Sequence, residues 1–420
     1  MSSPSRAGPD IPSDSRRLML ELMMTGLKAV DGRRAVRNAL NGSTPRRPVW
    51  LCAVGKAAEA MALGAKEAMG DRLDTGLVIT KQGHADPLAL AGYGIETRFG
   101  GHPLPIEGSL EAGRDLQRML QALPADREVL FLLSGGASSL VEVPIRGIDL
   151  PELRRINAWL LASGLPITAM NLVRKSLSRI KAGGLLGHLE DRPLRALAIS
   201  DVPQDLPQVI GSGPLTPEPD LAQGVAQLEL PEWLSTWVER GIRERGSPET
   251  GRARVEILAT LSQAKAAIAT EARQRGLTTF LHPERLSGDA ERLGKQLART
   301  LLGGERGLHL WGGEPTVRLP RNPGRGGRSQ HLALAAATQL AGHHGHFLLS
   351  IGSDGTDGPT EDAGALVDAG TLERAELAGL SAREALERAD AGTFLEAGGD
   401  LIRTGPTGTN VTDILLGLKT

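Results

Sequence analysis

The chain has 420 residues, a formal net charge of −1 and a single cysteine, with 53 glycines and 40% apolar residues of which few are aromatic. The length exceeds the roughly 250–300 residues at which one core stops growing, so two domains with aliphatic interiors are expected. Near-zero charge gives no electrostatic basis for nucleic acid or a membrane surface as partner, and Cys52 alone cannot form an intramolecular disulfide, which fits a reducing, cytoplasmic setting.

Residues 1–14 lack a signal-peptide core and are expected to be disordered. Beyond them, 18–30 carries Glu21 and Lys28, is too short to span a bilayer, and suits an amphipathic helix entered at Ser13, Asp14 or Ser15. Strand-length apolar runs then alternate with helical patterns. Strands are predicted over 49–54, 76–80, 129–133 and 194–200, with helices over 57–69, 107–121 and 151–163. Such alternation implies βα units and a doubly wound, Rossmann-like, mostly parallel sheet.

A charged, irregular stretch over 219–254 is the expected connection to a second α/β series. That series has predicted strands over 255–258, 277–281, 308–311, 347–351 and 414–418, and helices over 261–275, 288–302 and 330–340. The division expected is 15–235 and 236–420, with the second domain the smaller.

Ligands in open α/β sheets sit beyond the carboxyl ends of strands, and five strands here end in glycine, serine or aspartate. VWLCAVGK places Lys56 at a helix N-terminus that already favours anions, although a solvated lysine on the first turn is the alternative. It is not a P-loop, since the preceding glycine is missing and Ala57 stands where the Mg²⁺-binding hydroxyl would be. SGGASS offers Gly135 and Gly136 for close backbone approach to phosphate, with hydroxyls from Ser134, Ser138 and Ser139; a tight βα turn is the alternative.

Asp201 at the end of LAISD, and Asp205 after it, are candidates to hold Mg²⁺ or accept a hydroxyl proton, as are Asp354 and Asp357 in SDGTDGPT. Gly312, Gly313 and Glu314 end another apolar strand. Arg325 and Arg328 lie in a glycine loop before an apolar helix, where a guanidinium can grip carboxylate or phosphate at two points. The loop from Thr404 to Asn410 adds Thr407, Gly408 and Asn410 as phosphate-friendly groups. His343, His344 and His346 look like a metal cluster but lack a partner set at metal-site spacing. No complete G-x-G-x-x-G follows a strand, which argues against an ordinary nicotinamide site.

Taken in order, AVGKAA, GGHPLP, LLSGGASSL, NLVRKSLSRIKAGGL, SDVPQDLPQVIGSGP, GGEPTV, GRGGRSQHLAL, SIGSDGTDGPTEDAGA and TGPTGTNVTDI resemble the class II glycerate 2-kinase family, whose second half is called the MOFRL domain. The resemblance runs from about Ser15 to the end of the sequence. It implies two α/β domains with the site in the cleft between them and transfer of the ATP γ-phosphoryl group to D-glycerate with Mg²⁺; the sequence leaves the oligomeric state open, with a homodimer as one option. Lys56 and Arg328 take the positions that the family ties to catalysis, and His102 and Arg325 fall in motifs expected to meet the substrate.

Departures from the family pattern occur at Ser329 and His331, where it usually has Asn and Glu, at Ser176, where it has His, and at Gln204–Leu206, where it has GDD. Rival readings are a hydroxypyruvate reductase using NAD(P)H, a label many members carry, and a nucleotide-binding regulatory protein without catalysis.

Overall fold

The computed structural model describes residues 11–43, 45–189, 192–245 and 253–420. They form two compact units, one of residues 31–260 with 408–410, the other of 261–407 and 411–420 together with the N-terminal helix Ile11–Ala29. Among the described residues no helix is long and apolar enough to cross a membrane.

The first unit carries β1 (Val49–Val54), β2 (Leu73–Lys81), β3 (Ile95–Gly100), β4 (Glu128–Leu133), β5 (Leu194–Ile199) and β6 (Val255–Ala259), in the spatial order β3-β2-β1-β4-β5-β6. Every pairing is parallel. β1 is buried along its whole length, which is why its sequence is a continuous apolar run rather than an alternation. Trp50, Cys52 and Val54 share one core cluster with Phe131 and Leu133 of β4 and with Leu116 and Leu120 of the helix Glu107–Ala122. Burial pushes the Cys52 thiol far above its ordinary range, so it is an inert core side chain.

The domain boundary differs from the expected 235/236. Ala198 of β5 faces Ile257 of β6 in a parallel register, so the strand expected to open the second series completes the first sheet. The stretch expected as a linker includes the helix Glu232–Arg245, which packs on this unit through Leu234 and Val238, while 246–252 lie outside the described residues.

The second unit carries β7 (Thr279–Asp289), β8 (Gly307–Thr316), β9 (His346–Gly352), β10 (Gly364–Asp368), β11 (Leu401–Ile402) and β12 (Asp413–Lys419), ordered β11-β10-β9-β12-β8-β7. Only β7 and β8 pair in parallel, so this sheet is mixed. Its core joins Trp311 and Leu415 to the helices Ala290–Gly303 and Arg328–Leu340, the latter apolar on nearly every side.

The Ile11–Ala29 helix, expected with the first domain, belongs here. Arg16 pairs with Asp368 at 2.5 Å and Asp400 at 2.8 Å, two carboxylates that Arg374 also holds. Its helix begins at Ile11, earlier than the Ser13–Ser15 start expected, and residues 1–10 of the segment expected to be disordered lie outside the described ones.

Candidate functional site

The parallel sheet changes winding direction between β1 and β4, the position at which doubly wound sheets open a crevice at their carboxyl edge. The two strands end level, Val54 facing Leu133. Beyond that level their loops stay joined, because Ser134 N–H donates to Val54 O at 2.9 Å and Lys56 N–H donates to Gly135 O at 3.0 Å. Gly55 has a φ of 127°, and a Cβ there would lie 2.5 Å from Ser134 O, so only glycine lets the loops approach this closely. Ser134, expected as a phosphate donor, is fully buried and instead fastens the loops, its hydroxyl accepting from Ala57 N–H at 3.1 Å.

Four side chains crowd the next two glycines. A Cβ on Gly136 would lie 3.1 Å from His102 Cδ2 and 3.3 Å from Lys56 Cγ. One on Gly135 would lie 2.5 Å from Asp201 Cγ, and closer still to Asp201 Oδ2 and Asn410 Nδ2. Asn410 Nδ2 donates to Asp201 Oδ2 at 3.2 Å. Lys56, His102, Asp201 and Asn410, from four separate stretches of chain, therefore meet at one glycine pair. Ser138 Oγ lies 2.9 Å from Ser212 Oγ, and Ser139 Oγ donates to Gly136 O at 3.2 Å.

Two neighbours escaped the sequence reading. Ser212 holds a φ of 64° in a GSG triplet, and His84 places Nδ1 3.3 Å from Lys56 O. Asp205 follows Asp201 in the short turn Pro203–Asp205, with a φ of 54°. Gly408 O accepts from Gly32 N–H at 3.0 Å. Ser176, where the family usually has a histidine, is fully buried and donates back to Val173 O at 2.7 Å within its own helix.

In the second unit, Arg328 opens the Arg328–Leu340 helix and its guanidinium is held at two points by Asp413: Nε donates to Oδ2 at 2.8 Å and Nη2 to Oδ1 at 3.0 Å. Nη1 donates to Glu314 Oε1 at 2.8 Å. Burial works against the guanidinium charge, but Asp413 and Glu314 outweigh it and hold Arg328 above its ordinary pKa. Asp413 is 2% exposed, and burial raises its pKa to about 6 against the pull of Arg328. Asp413 stands inside the NVTDI motif, yet no strand-end pattern singles it out.

Asp357, expected as a metal ligand, uses both oxygens on the start of that helix. Oδ1 accepts from Ser329 N–H at 3.0 Å and Oδ2 from Gln330 N–H at 2.7 Å. It caps the helix from a distant loop, since the N-cap residue itself is glycine. Burial raises the Asp357 pKa to about 7. Asp354 Oδ1 accepts from Thr356 N–H at 2.9 Å and from its hydroxyl at 3.1 Å, closing a local turn.

Arg325, expected to grip substrate, is engaged by Asp362 at 2.5 Å and by Glu396. Gly312 and Gly313 belong to β8, and Thr407 Oγ1 donates to Ser353 O. His346 Nδ1 faces the carbonyls of His343 and His344 at 3.2 and 3.1 Å. Ser329 Oγ and His331 Nδ1 are buried without a hydrogen-bond partner, and burial lowers the His331 pKa. Among the described residues no group of three or more His, Cys, Asp or Glu is gathered around a metal position.

Comparison with known proteins matches residues 18–238 to a family described as a domain of unknown function, DUF4147, and 307–413 to the MOFRL family. The chain is 34% identical over 418 residues to the D-glycerate 2-kinase of Thermotoga maritima, covering 97% of this chain and 99% of that one. It is 37% identical over 420 residues, covering 95% and 93%, to an Agrobacterium vitis protein named provisionally as a hydroxypyruvate reductase. The crystal structure of glycerate kinase from Thermotoga maritima superposes with a TM-score of 0.81 at 32% identity, covering 97% of this chain and 100% of that one. The chain thus belongs to the class II glycerate 2-kinase family, with a MOFRL domain in its C-terminal half.

Proposed function

We propose that the protein transfers the γ-phosphoryl group of ATP to the 2-hydroxyl of D-glycerate. The observation that carries this reading is the meeting of Lys56, His102, Asp201 and Asn410 at the Gly135–Gly136 turn, on the carboxyl edge of a parallel sheet at its switch point. Relatives along the whole chain bear the names D-glycerate 2-kinase and glycerate kinase, which supports the same substrate class.

Phosphoryl transfer demands positioning and charge neutralisation more than covalent chemistry. The glycine pair lets backbone approach the phosphates, with Ser138 and Ser139 beside it. The Lys56 ammonium neutralises charge on the transferring phosphoryl, and His102 orients glycerate. Arg328, at the position the family ties to catalysis, is given a charge-stabilising role in the transfer. As the glycerate oxygen bonds to the γ-phosphorus, the bond to the bridging oxygen breaks, ADP leaves with that electron pair, and the hydroxyl proton passes to a carboxylate.

Asp201 is the carboxylate best suited to accept that proton or to hold Mg²⁺, because it borders a turn with no side chain and is oriented by Asn410. One carboxylate would suffice for Mg²⁺ with phosphates and waters as further ligands, whereas both Asp357 oxygens already accept backbone N–H groups at a helix start. Held there, Mg²⁺ would supply charge neutralisation for the phosphates.

The test is ADP release from MgATP with and without D-glycerate, coupled to an assay that accepts only 2-phosphoglycerate. Glycerate-dependent release that Lys56→Ala lowers by about 10²–10³-fold is the expected result. Wild type releasing no ADP, while oxidising NADH with hydroxypyruvate, would replace the kinase reading with the reductase one. Asp201→Asn retaining full turnover and Mg²⁺ dependence would remove Asp201 from the mechanism.

A further inference from the structure

Arg328 is fixed from two sides by carboxylates that the sequence separates widely from it and from each other. Asp413 stands at the first position of β12, opposite Gly313 of β8 and Gly352 of β9, so its backbone sits in the middle of the sheet. Its carboxylate meets the guanidinium edge with two hydrogen bonds of 2.8 and 3.0 Å, one to each oxygen, the two-point pairing that gives arginine–carboxylate pairs their directionality. The other side is the backbone: Asp357 occupies the first free N–H groups of the helix that Arg328 begins, at 3.0 and 2.7 Å. Arg328 itself is 32% exposed, and its second carboxylate partner, Glu314, is 57% exposed.

A buried charge pair of this kind contributes little net stability compared with apolar packing, and its best-attested use is to specify one arrangement. A long arginine side chain otherwise samples many rotamers. Two of its five N–H groups are spent on Asp413 and one on Glu314, which leaves donors on a guanidinium whose plane cannot turn.

We propose that Asp413 is a positioning residue, which acts through Arg328 by locking the plane of its guanidinium, with Asp357 fixing the helix turn from which Arg328 projects. This rests on the role given to Arg328 in phosphoryl transfer. Asp413 itself touches no substrate. Asn at position 413 keeps the shape but offers one acceptor and one donor to two N–H groups, so the pair loses its two-point lock.

The experiment is a double-substitution cycle on the full chain, measuring kcat, KM for MgATP and D-glycerate, and melting temperature for wild type, Arg328→Ala, Asp413→Asn and the double variant. Residues acting as a unit are non-additive. Asp413→Asn is expected to lower kcat about 30- to 100-fold in the wild type, since misplacement near 1 Å costs on that order. In the Arg328→Ala background it is expected to change kcat less than threefold. Equal fold-losses in both backgrounds, or an Asp413→Asn enzyme with wild-type kcat, would overturn the proposal.

Should Asp413→Asn not fold, Asp357→Asn is run through the same cycle, with a smaller loss of about 5- to 20-fold expected and the same absence of effect without Arg328. The Nε–H resonance of Arg328, assigned by its disappearance in Arg328→Ala, reports the pair without any turnover. It is expected as a slowly exchanging signal that Asp413→Asn abolishes. If wild type shows no glycerate-dependent ADP release, the kinase reading fails, and survival of that resonance in Asp413→Asn would separately refute the lock.

Discussion

Gly135→Ala tests the glycine-pair site with one methyl group. The added Cβ would stand 2.5 Å from Asp201 Cγ, where carbon atoms in contact normally keep about 3.5–4.0 Å, and it would overlap Asp201 Oδ2 and Asn410 Nδ2 outright. Ser134, one residue earlier, is buried and tied to both β1 and Ala57, so the loop cannot retreat and the Asp201–Asn410 pair has to move by about 1 Å or more. Displacement of that size from a reacting geometry is worth about 10²-fold in rate, or roughly 2.7 kcal/mol of transition-state stabilisation, while overpacking costs about 1–3 kcal/mol of stability. Steady-state ADP release and thermal melting separate the two effects. The expected result is kcat down about 100-fold with a folded protein whose melting point falls by a few degrees. Gly303→Ala, in the last turn of its helix with open space around it, should change neither by much. A folded Gly135→Ala enzyme with wild-type kcat would refute the placement of Asp201 and Asn410 in the mechanism.

Asp357 gives a pH signature. Burial raises its folded pKa from the ordinary 3.8 to about 7, so it contributes stability that is complete below about pH 4 and is lost as pH rises to 7. At 1.36 kcal/mol per unit the loss approaches about 4 kcal/mol, and the difference in urea-unfolding stability between wild type and Asp357→Asn should show that slope between pH 4 and 8, since Asp413 and the other buried groups titrate alike in both. Arg16→Ala removes one of the two arginines that neutralise Asp368 and Asp400; with Arg374 still present, a stability loss of about 1–3 kcal/mol is expected by denaturant titration, and no loss would mean that the N-terminal helix is held by apolar contact alone.

How far the site was legible in the sequence depends on the direction of the strands. In a parallel sheet every strand delivers its carboxyl end to the same edge, which is why Lys56, Gly135, Gly136 and Asp201, each a candidate by its place after an apolar run, come together here, with Val54 facing Leu133, while the same rule also returns strand ends of the second sheet. An apolar strand carries no mark of which neighbour it will pair with, so β6 reads as the start of the second series, although its pairing to β5 at Ala198 spans the whole stretch that reads as a linker.

The mixed sheet breaks the rule. β12 runs against β8 and β9, so the residue that stands opposite Gly352, the last of β9, and Gly313, late in β8, is the first of its strand and not one that follows a strand. That residue is Asp413, and a search for groups after strands cannot return it. Asp357 is a different case. An aspartate in a D-G turn has the same local signature whether it binds a metal, closes its own turn or caps a helix that begins 29 residues earlier in the chain, and only the last requires its two oxygens to meet Ser329 and Gln330. The carboxylate proposed to meet the reactants, Asp201, can thus be sought by its place after a strand, whereas those that hold Arg328 and its helix become visible only when the partners they satisfy are known.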